Sequence, residues 1–489
     1  MAIKRYYATK DNTITNAFKA NLSTRGTAGN MGQSDILEVF SIYAQASTSS
    51  SELSRVLIEF DTDAINTDRA SGVIPASGSV SFFLRMYNAR HSQTTPKDFT
   101  MVTTAISQSW NEGLGLDMEN YSDEDASNWI SASDGVAWTT QGGDYITGTN
   151  AVPKEYTFTQ SFDTGFENLE IDVSHLVEDW IKGPGGGGIT NYGFGVHLTA
   201  SNEAASSSYY TKKFFARGSQ YFHKRPVIEA RWNSCKKDNR GDFYLSSSLV
   251  PASDNLMNLY LYNVVKGQLT DIPAVGTNDM EVSIYSGTNA PAGDKLYLPA
   301  GGGVVTAGDV NITASHVETG IYSCSFAYVS SSITKIYDVW HSASIEYHTG
   351  SAVNVQTFDS YDYNLDQRYV SKLTNLKTNY STQETARFRL FVRSKNYSPN
   401  IYTVANQDIE NTIVDNIYYQ VKRSSDGLPV IEYGTGSLNH TKLSYDVSGS
   451  YFDLDIGMLE ADNSYQIKFV YLINGSYVEQ PETFRFNVV

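Results

Sequence analysis

The densest group of side chains that could do chemistry is an acidic run in the first third of the chain. Asp117, Glu119, Asp123 and Asp125 place carboxylates close together. Carboxylate oxygens are the ligands that calcium prefers, and one loop could gather several of them around an ion. The spacing does not match an EF-hand, and free carboxylates are common on acidic proteins. The sequence therefore allows a calcium site or a solvated acidic loop, and it predicts no other cofactor.

Three tryptophans follow one another in the same region and could bind carbohydrate. Trp110, Trp129 and Trp138 carry flat apolar rings of the kind that stack on the faces of pyranose sugars. Tryptophan is, however, mostly buried in folded proteins. Packing in the core or at the rim of a β-sandwich is therefore the alternative interpretation of these three residues.

A concentrated positive stripe lies on a chain that is otherwise acidic. Arg387, Arg389, Arg393 and Lys395 alternate with apolar residues, so they share one face of a predicted strand. Such a stripe could dock an acidic neighbour and form an interface. A solvated face, or a charged edge strand that blocks unwanted strand pairing, explains the same pattern.

Common catalytic and nucleotide-binding motifs are missing from the sequence. It contains no Gly-x-Ser-x-Gly elbow, no Walker-type loop and no helical pair of metal-binding histidines. The glycines of residues 183–188 fit a dinucleotide fingerprint formally, but they follow a helix, whereas phosphate binding requires them between a strand and a helix. The sequence therefore predicts that the protein is not an enzyme, although facing carboxylates on separate strands are beyond the reach of sequence patterns.

Composition and charge limit the partners. Charged residues make up 18% of the 489 positions and the net charge is −17, while Ser, Thr, Asn, Gly and 34 Tyr supply the remaining polarity. Tyr and Thr are typical of half-buried sheet surfaces. Nucleic-acid binding depends on clustered Lys and Arg, so this balance argues against a nucleic-acid partner. Net charge of this size also keeps a protein soluble when many copies lie close together.

Apolar and polar residues alternate along most of the chain, which predicts short antiparallel strands. One helix is predicted over residues 173–183, with Ser174 as its cap, Gly183 as its end and one apolar face. We therefore expect an all-β protein with one short helix covering a sandwich. Breaks in the alternation predict four segments: a sandwich at 1–232, a linker at 233–242, and sandwiches at 243–358 and 359–489.

Residues 7–232 resemble the DNRLRE-type domain, a jelly-roll β-sandwich of bacterial surface and secreted proteins that is similar to some carbohydrate-binding modules. The resemblance depends on features that occur in one order, namely residues 11–13, 55–61, 80–87 and 109–113, Trp138, the helix at 173–183 and residues 225–230. The name-giving string itself is absent. The resemblance implies a jelly roll in which the helix covers one side.

The C-terminal half resembles immunoglobulin-like and fibronectin-like sandwiches. Leu459 followed by Tyr465 at a strand start is similar to a tyrosine corner, and Tyr322 precedes Cys324 by the two residues typical of immunoglobulin domains. The domain lacks a second cysteine, so the resemblance implies the topology without the inter-sheet disulfide.

The whole layout, a jelly roll followed by two immunoglobulin-like modules, resembles virion proteins of contractile-tailed phages of marine cyanobacteria. Neither a signal peptide nor a membrane span is found in the sequence. We expect synthesis in the host cytoplasm, assembly into a virion with other virion proteins, and a homo-oligomer on the particle. The predicted function is that of a neck, collar, fibre or decoration subunit.

A second function is compatible with the same sequence. The N-terminal jelly roll could bind a polysaccharide of the host surface, which would make the protein an adsorption protein. Saccharide-dependent retention of the protein would distinguish this function from a purely structural one.

Overall fold

The computed structural model consists almost entirely of β-strands, which confirms the predicted all-β class. Its described residues contain 34 strands and three α-helices of at most nine residues. None of these helices is long and apolar enough to cross a membrane. Contacts divide the chain into two compact units, 2–233 with 458–460 and 234–457 with 461–489. The structure describes residues 2–91, 96–122, 125–146, 156–245, 249, 251, 255–296, 312–328, 333–356, 367–397, 400–401 and 411–489.

The first unit contains fourteen of the described strands. They are β1 (Ile3–Thr15), β2 (Gly29–Asn30), β3 (Ile36–Tyr43), β4 (Ser51–Phe60), β5 (Ser81–Met86), β6 (Phe99–Ala105), β7 (Asp117–Ser122), β8 (Ser131–Ser133), β9 (Val136–Ala137), β10 (Thr157–Phe162), β11 (Leu169–Asp172), β12 (Phe194–Leu198), β13 (Tyr210–Phe215) and β14 (Val227–Arg231).

Strand β1 joins the sheets of this unit. Its residues 3–7 pair antiparallel with β14, and from Ala8 onward it pairs antiparallel with β4, with a bulge between Ala8 and Lys10. The order continues through β14, β5 and β11 on one side and through β4, β12, β6 and β10 on the other. Strand β3 pairs with the start of β4 and with β13. A long strand shared in this way allows a sheet to fold around one core.

The alternation of β4 builds two buried clusters at once. Val56, Ile58 and Phe60 have at most 1% of their surface exposed and belong to the main core. Leu57 points to the opposite face and belongs to a second, smaller cluster. Successive side chains of a strand point to opposite faces, so a strand with apolar residues on both faces must be covered on both.

The predicted helix is confirmed, but its predicted cap is wrong. Helix α2 (Ser174–Lys182) ends at Gly183 with φ +62° and buries Leu176, Val177 and Trp180. Val173 occupies the cap position and makes no side-chain cap bond. The Ser174 hydroxyl instead accepts a hydrogen bond from the Phe82 backbone N–H at 2.8 Å, so it ties the helix to β5.

The structure adds two helices to the single one predicted. Helix α1 (Thr62–Ala70) is capped by Asp61 and buries only Ile65, and α3 (Ala200–Glu203) is one turn long. Neither has the apolar stripe by which sequence periodicity identifies a helix. Helix α1 is held against α2 by two hydrogen bonds between the Arg69 guanidinium and the Glu178 carboxylate, at 2.8 and 2.6 Å.

Residues 243–356 of the second unit form one eight-stranded sheet around their own core, with a separate two-stranded hairpin. The Tyr322 hydroxyl donates to the Gly276 carbonyl at 2.7 Å, so the phenol ties a strand to an upstream loop. The strands are β15 (Phe243–Tyr244), β16 (Met257–Tyr262), β17 (Val264–Val265), β18 (Gln268–Leu269), β19 (Met280–Ser286), β20 (Ile312–Glu318), β21 (Ile321–Phe326), β22 (Lys335–Ser342), β23 (Ile345–Thr349) and β24 (Val353–Gln356).

Residues 369–488 form two facing sheets, one of four strands and one of six. Tyr465, predicted to form a tyrosine corner, is the third residue of the strand Asn463–Ile473 and has no exposed surface. The strands are β25 (Tyr369–Leu373), β26 (Asn379–Tyr380), β27 (Thr385–Ser394), β28 (Ile417–Arg423), β29 (Pro429–Ile431), β30 (Ser444–Asp446), β31 (Gly449–Asp455), β32 (Asn463–Ile473), β33 (Ser476–Glu479) and β34 (Phe484–Val488).

Part of the predicted linker is hydrogen bonded within the second unit. The Asp238 N–H donates to the Tyr445 carbonyl at 3.0 Å, and the Asn239 amide donates to the Tyr445 hydroxyl at 3.1 Å. The Lys236 N–H donates to the Ser444 hydroxyl at 2.9 Å. These bonds place residues 236–239 beside β30. The division of the chain into three sandwiches stays a prediction.

Candidate functional site

The structure brings the three predicted tryptophans together, but it buries them. Trp110, Trp129 and Trp138 have 1, 5 and 5% of their surface exposed and form a cluster with Leu57 on the outer face of β4. Two of the indole N–H groups donate to backbone carbonyls. Trp110 donates to Tyr192 at 2.9 Å, and Trp138 donates to Asn128 at 2.8 Å. Their ring faces contact protein, so the packing alternative describes them. A sugar would have to stack on other aromatic residues.

The predicted acidic site is only partly within the described residues. Asp123 lies outside them, while Asp117 and Glu119 lie in the exposed strand β7. The Asp117 carboxylate accepts the backbone N–H groups of Glu119 and Asn120 at 2.8 and 2.7 Å, and these bonds lower the pKa of Asp117. The Asp125 carbonyl accepts the side-chain amide of Asn111 at 3.2 Å. Among the described residues no three Asp, Glu, His or Cys side chains form a metal-binding group.

The predicted positive stripe is partly neutralised by aspartates of neighbouring strands. Arg387 donates two hydrogen bonds to Asp453, at 2.8 and 2.9 Å, and Arg389 donates two to Asp446, at 3.0 Å each. Both guanidinium groups also lie over the Tyr451 ring. Strand β27 lies between β25 and β31, so the alternative of a charged edge strand is wrong.

Two members of the stripe are placed differently. Arg393 donates to the Ser394 carbonyl at 3.2 Å, and Lys395 is exposed just after β27 ends. No salt bridge of either side chain is found within the part of the chain that the structure describes. Arg393 is partly buried, whereas Lys395 is exposed, as is the ion-paired Arg387 with 47% of its side chain exposed.

A buried ionic cluster that sequence analysis did not identify lies in the first unit. Glu229 on β14 accepts Arg5 at 2.8 Å, Arg231 at 2.7 Å and Arg85 at 3.4 Å. Burial alone raises the pKa of Glu229, but the charges of Arg5, Arg85 and Arg231 outweigh burial and hold this pKa well below its usual range. The residues come from three strands, so no local pattern could have shown that they meet.

Two of the sequence features that carry the DNRLRE resemblance meet in space. The Asp11 N–H donates to the Glu112 carboxylate at 2.8 Å, and the Arg217 N–H donates to the Asp11 carboxylate at 2.6 Å. Arg217 also forms a short ion pair with Glu112. Burial raises the pKa of Asp11 to about 7, against the opposing effect of the Arg217 N–H. The geometry gives these residues a role in linking β1 to the loops that contain Glu112 and Arg217.

A neighbouring network centres on Asn30, which has no exposed surface. Its side-chain amide donates to the Glu112 and Ser127 carbonyls at 2.7 and 3.0 Å, and its oxygen accepts the Gly115 N–H at 2.8 Å. A Cβ atom on Gly115 would lie 2.0 Å from the Asn30 carbonyl oxygen, so only glycine fits there. The network joins distant loops and leaves its polar atoms satisfied.

An open groove runs along the outer face of β3 and β13, and sequence analysis did not identify it. Two adjoining pockets of about 480 and 440 Å³ share Glu38 and Phe40. Both volumes fall in the range of about 300 to 1,000 Å³ that is typical of ligand pockets. The alternation of β3 could have revealed the outward positions 38, 40 and 42. We call this feature the β3–β13 groove and define it by Ile36, Glu38, Phe40, Ile42, Tyr209, Thr211 and Lys213.

Comparison with known proteins gives no family for the chain. No protein-family model matches it, and no curated protein matches it. Membership of the DNRLRE-type family therefore stays a proposal.

Three solved structures illustrate the matches that exist at the level of structure. A marsupial T cell receptor is 10% identical, with 51% of this chain and 70% of that chain covered and a TM-score of 0.16. The N-terminal Ig1-2 module of the Drosophila receptor protein tyrosine phosphatase DLAR is 8% identical, with 48% of this chain and 90% of that module covered and a TM-score of 0.15. Trypsin-activated alpha-2-macroglobulin from Escherichia coli is 9% identical, with 89% of this chain and 24% of that chain covered and a TM-score of 0.16. At these scores the matches carry no argument about activity, ligand or partner.

Proposed function

We propose that this chain is a structural protein of a tailed bacteriophage particle, a neck, collar, fibre or decoration subunit that acts without catalysis. One observation carries the proposal: buried carboxylates are held by arginines from other segments of the chain. Glu229 is enclosed by three arginines, and Asp338 is paired with Arg240. A carboxylate held in this way stabilises a scaffold and is not free to act as an acid or base. Stiff sandwiches stabilised from within suit display on a particle.

Attachment to the particle follows from repetition of a weak contact. The partly buried Arg393 and the exposed Lys395 supply two cations on a chain whose net charge is −17. An exposed ion pair contributes about 1 kcal/mol or less, so one copy would bind weakly. Many copies on a symmetric shell, or a homo-oligomer, would gain from effective concentration. The resemblance of the domain layout to phage virion proteins supports the same proposal.

Purification of the phage particles tests this function. We expect the full-length polypeptide to co-sediment with particles in a density gradient, to be detected by mass spectrometry and to occupy a fixed position in electron cryo-microscopy maps. An Arg393→Glu, Lys395→Glu variant should be incorporated less well than a Lys377→Glu control, because Lys377 is an exposed lysine of the same unit that is paired with Glu384. A polypeptide found only in the particle-free lysate would contradict the proposal.

A further inference from the structure

The β3–β13 groove combines apolar surface with hydrogen-bonding groups on one open face. In β3 the side chains of Leu37 and Val39 point into the core, whereas Glu38, Phe40 and Ile42 are partly exposed. Tyr209 directly precedes β13 and has 62% of its surface exposed. The outward face therefore presents two aromatic rings with polar side chains between and beside them.

Strand register places the polar groups in the middle of the groove. Thr211 lies opposite Phe40, and Lys213 lies opposite Glu38. The Lys213 ammonium is 3.2 Å from a Glu38 carboxylate oxygen, and the Thr211 hydroxyl donates to the same oxygen at 3.3 Å. Both charged side chains stay partly exposed, with 23% of the Lys213 side chain and 33% of the Glu38 side chain accessible to solvent. They can therefore still donate and accept hydrogen bonds at the groove surface.

The acidic and basic side chains that line the two pockets of the β3–β13 groove cancel in charge. Glu38 and Asp117 oppose Lys213 and Arg90, although the whole chain carries −17. In addition, the Nδ1 atom of His91 in the larger pocket is buried without a hydrogen-bond partner among the described residues. A groove without net charge on an acidic protein is complementary to an uncharged ligand that is rich in hydrogen-bonding groups.

Strand addition by a peptide is blocked along part of this sheet. The Ala89 N–H donates to the Lys213 carbonyl at 2.9 Å, and the Phe215 N–H donates to the Tyr87 carbonyl at 3.1 Å. These bonds occupy the edge of β13 that an added strand would use. The face of the sheet, and not its edge, is the surface left open to a ligand.

We propose that the β3–β13 groove binds an uncharged polysaccharide chain. Phe40 and Tyr209 would stack on the apolar faces of sugar rings, and the ion pair of Glu38 with Lys213 would bind ring hydroxyls. From Ile36 to Ile42 the groove spans about 20 Å at roughly 3.3 Å per residue, which is long enough for several sugars. This activity goes beyond the proposed structural role and does not depend on it, because a virion subunit could lack it.

Affinity electrophoresis of the full chain tests the site. Native gels would contain dextran, laminarin or galactomannan as uncharged probes, and alginate or polygalacturonate as anionic probes. We expect at least one uncharged polysaccharide to retard the protein, with retardation that does not change with salt, since no net charge is neutralised. Tyr209→Ala should weaken binding roughly tenfold, which corresponds to about 1.4 kcal/mol.

Matched variants keep the test independent of folding. Tyr209 is largely exposed, so its replacement leaves the core intact. Tyr477→Ala is the control, because Tyr477 lies on β33, far along the chain, and also has 50% of its surface exposed. Phe40→Ala provides a second variant on β3. Retardation by anionic polysaccharides alone, binding that falls steeply with salt, equal binding by the Tyr209 and Tyr477 variants, or no retardation by any uncharged probe would each overturn the proposal.

Discussion

The guanidinium of Arg240 and the carboxylate of Asp338 form a two-bond ion pair inside the second unit. The bonds measure 2.7 Å each, and the Asp338 side chain has no exposed surface. The Trp340 indole N–H donates to the same carboxylate at 2.6 Å. Burial raises the pKa of Asp338, but the Arg240 bonds outweigh it and leave the pKa below its usual value. A carboxylate buried in strand β22 thus depends on a residue of the predicted linker.

Replacing Arg240 should therefore destabilise the second unit strongly. Arg240→Met leaves the Asp338 charge buried without its cation, which costs about 3 to 5 kcal/mol. Urea unfolding followed by circular dichroism would measure the loss. Lys377→Met is the control, since Lys377 belongs to an exposed pair and should cost about 1 kcal/mol or less. Equal effects of the two changes would show that the buried pair is not needed.

The stability of the first unit should depend on pH through Asp11. Burial raises its pKa from 3.8 to about 7, so between these values the folded chain binds a proton that the unfolded chain has lost. This group therefore lowers the free energy of unfolding as pH rises from about 4 to about 7. Asp11→Asn removes the effect and keeps an oxygen for the Arg217 N–H. The free energy of unfolding of the variant should exceed that of the natural chain near pH 8, and this difference should be smallest near pH 4.

Tryptophan fluorescence during urea unfolding would follow this pH dependence, because five of the six tryptophans, all except Trp340, lie in residues 2–233. Asp134→Asn is the control, since Asp134 is exposed. A stability difference between the Asp11 variant and the natural chain that stays constant with pH would contradict the prediction.

Loss of the buried Asn30 amide should loosen the loops that it joins. Asn30→Ala leaves the Glu112 carbonyl and the Gly115 N–H without this partner, at about 1 to 3 kcal/mol for each buried group left unpaired. The Ser127 carbonyl keeps the hydrogen bond from the Asn12 amide. Hydrogen exchange should quicken in residues 110–118. Asn21→Ala, a change in an exposed loop, should leave that segment protected. Unchanged protection in the Asn30 variant would argue against the network.

The tryptophan cluster should behave as a core. Trp110→Ala removes a side chain that is 1% exposed and should cost about 3 to 5 kcal/mol in thermal or urea unfolding. Tyr221→Ala is the comparison because Tyr221 is 45% exposed in the same unit. If Trp110→Ala unfolded at the same urea concentration as the Tyr221 variant, the packing role would be wrong.

The sequence predicted those features that depend on neighbouring positions. The alternation in β4, the turn glycine that ends α2 and the apolar face of that helix are local patterns, and the structure contains all three. Helix α1 was missed for the same reason, since one buried residue, Ile65, gives no periodic signal. Local patterns reveal an element when one of its faces is apolar.

The sequence by itself determined that the chain is built of β-strands, because side-chain alternation and turn residues act over a few positions. The tertiary structure alone decided which of the chemically suggestive residues are accessible. It buried Trp110 and its two partners, paired Arg387 with Asp453, and placed Glu38 beside Lys213. Strand register and covering loops bring together residues far apart in the chain, and these long-range contacts set burial and charge pairing.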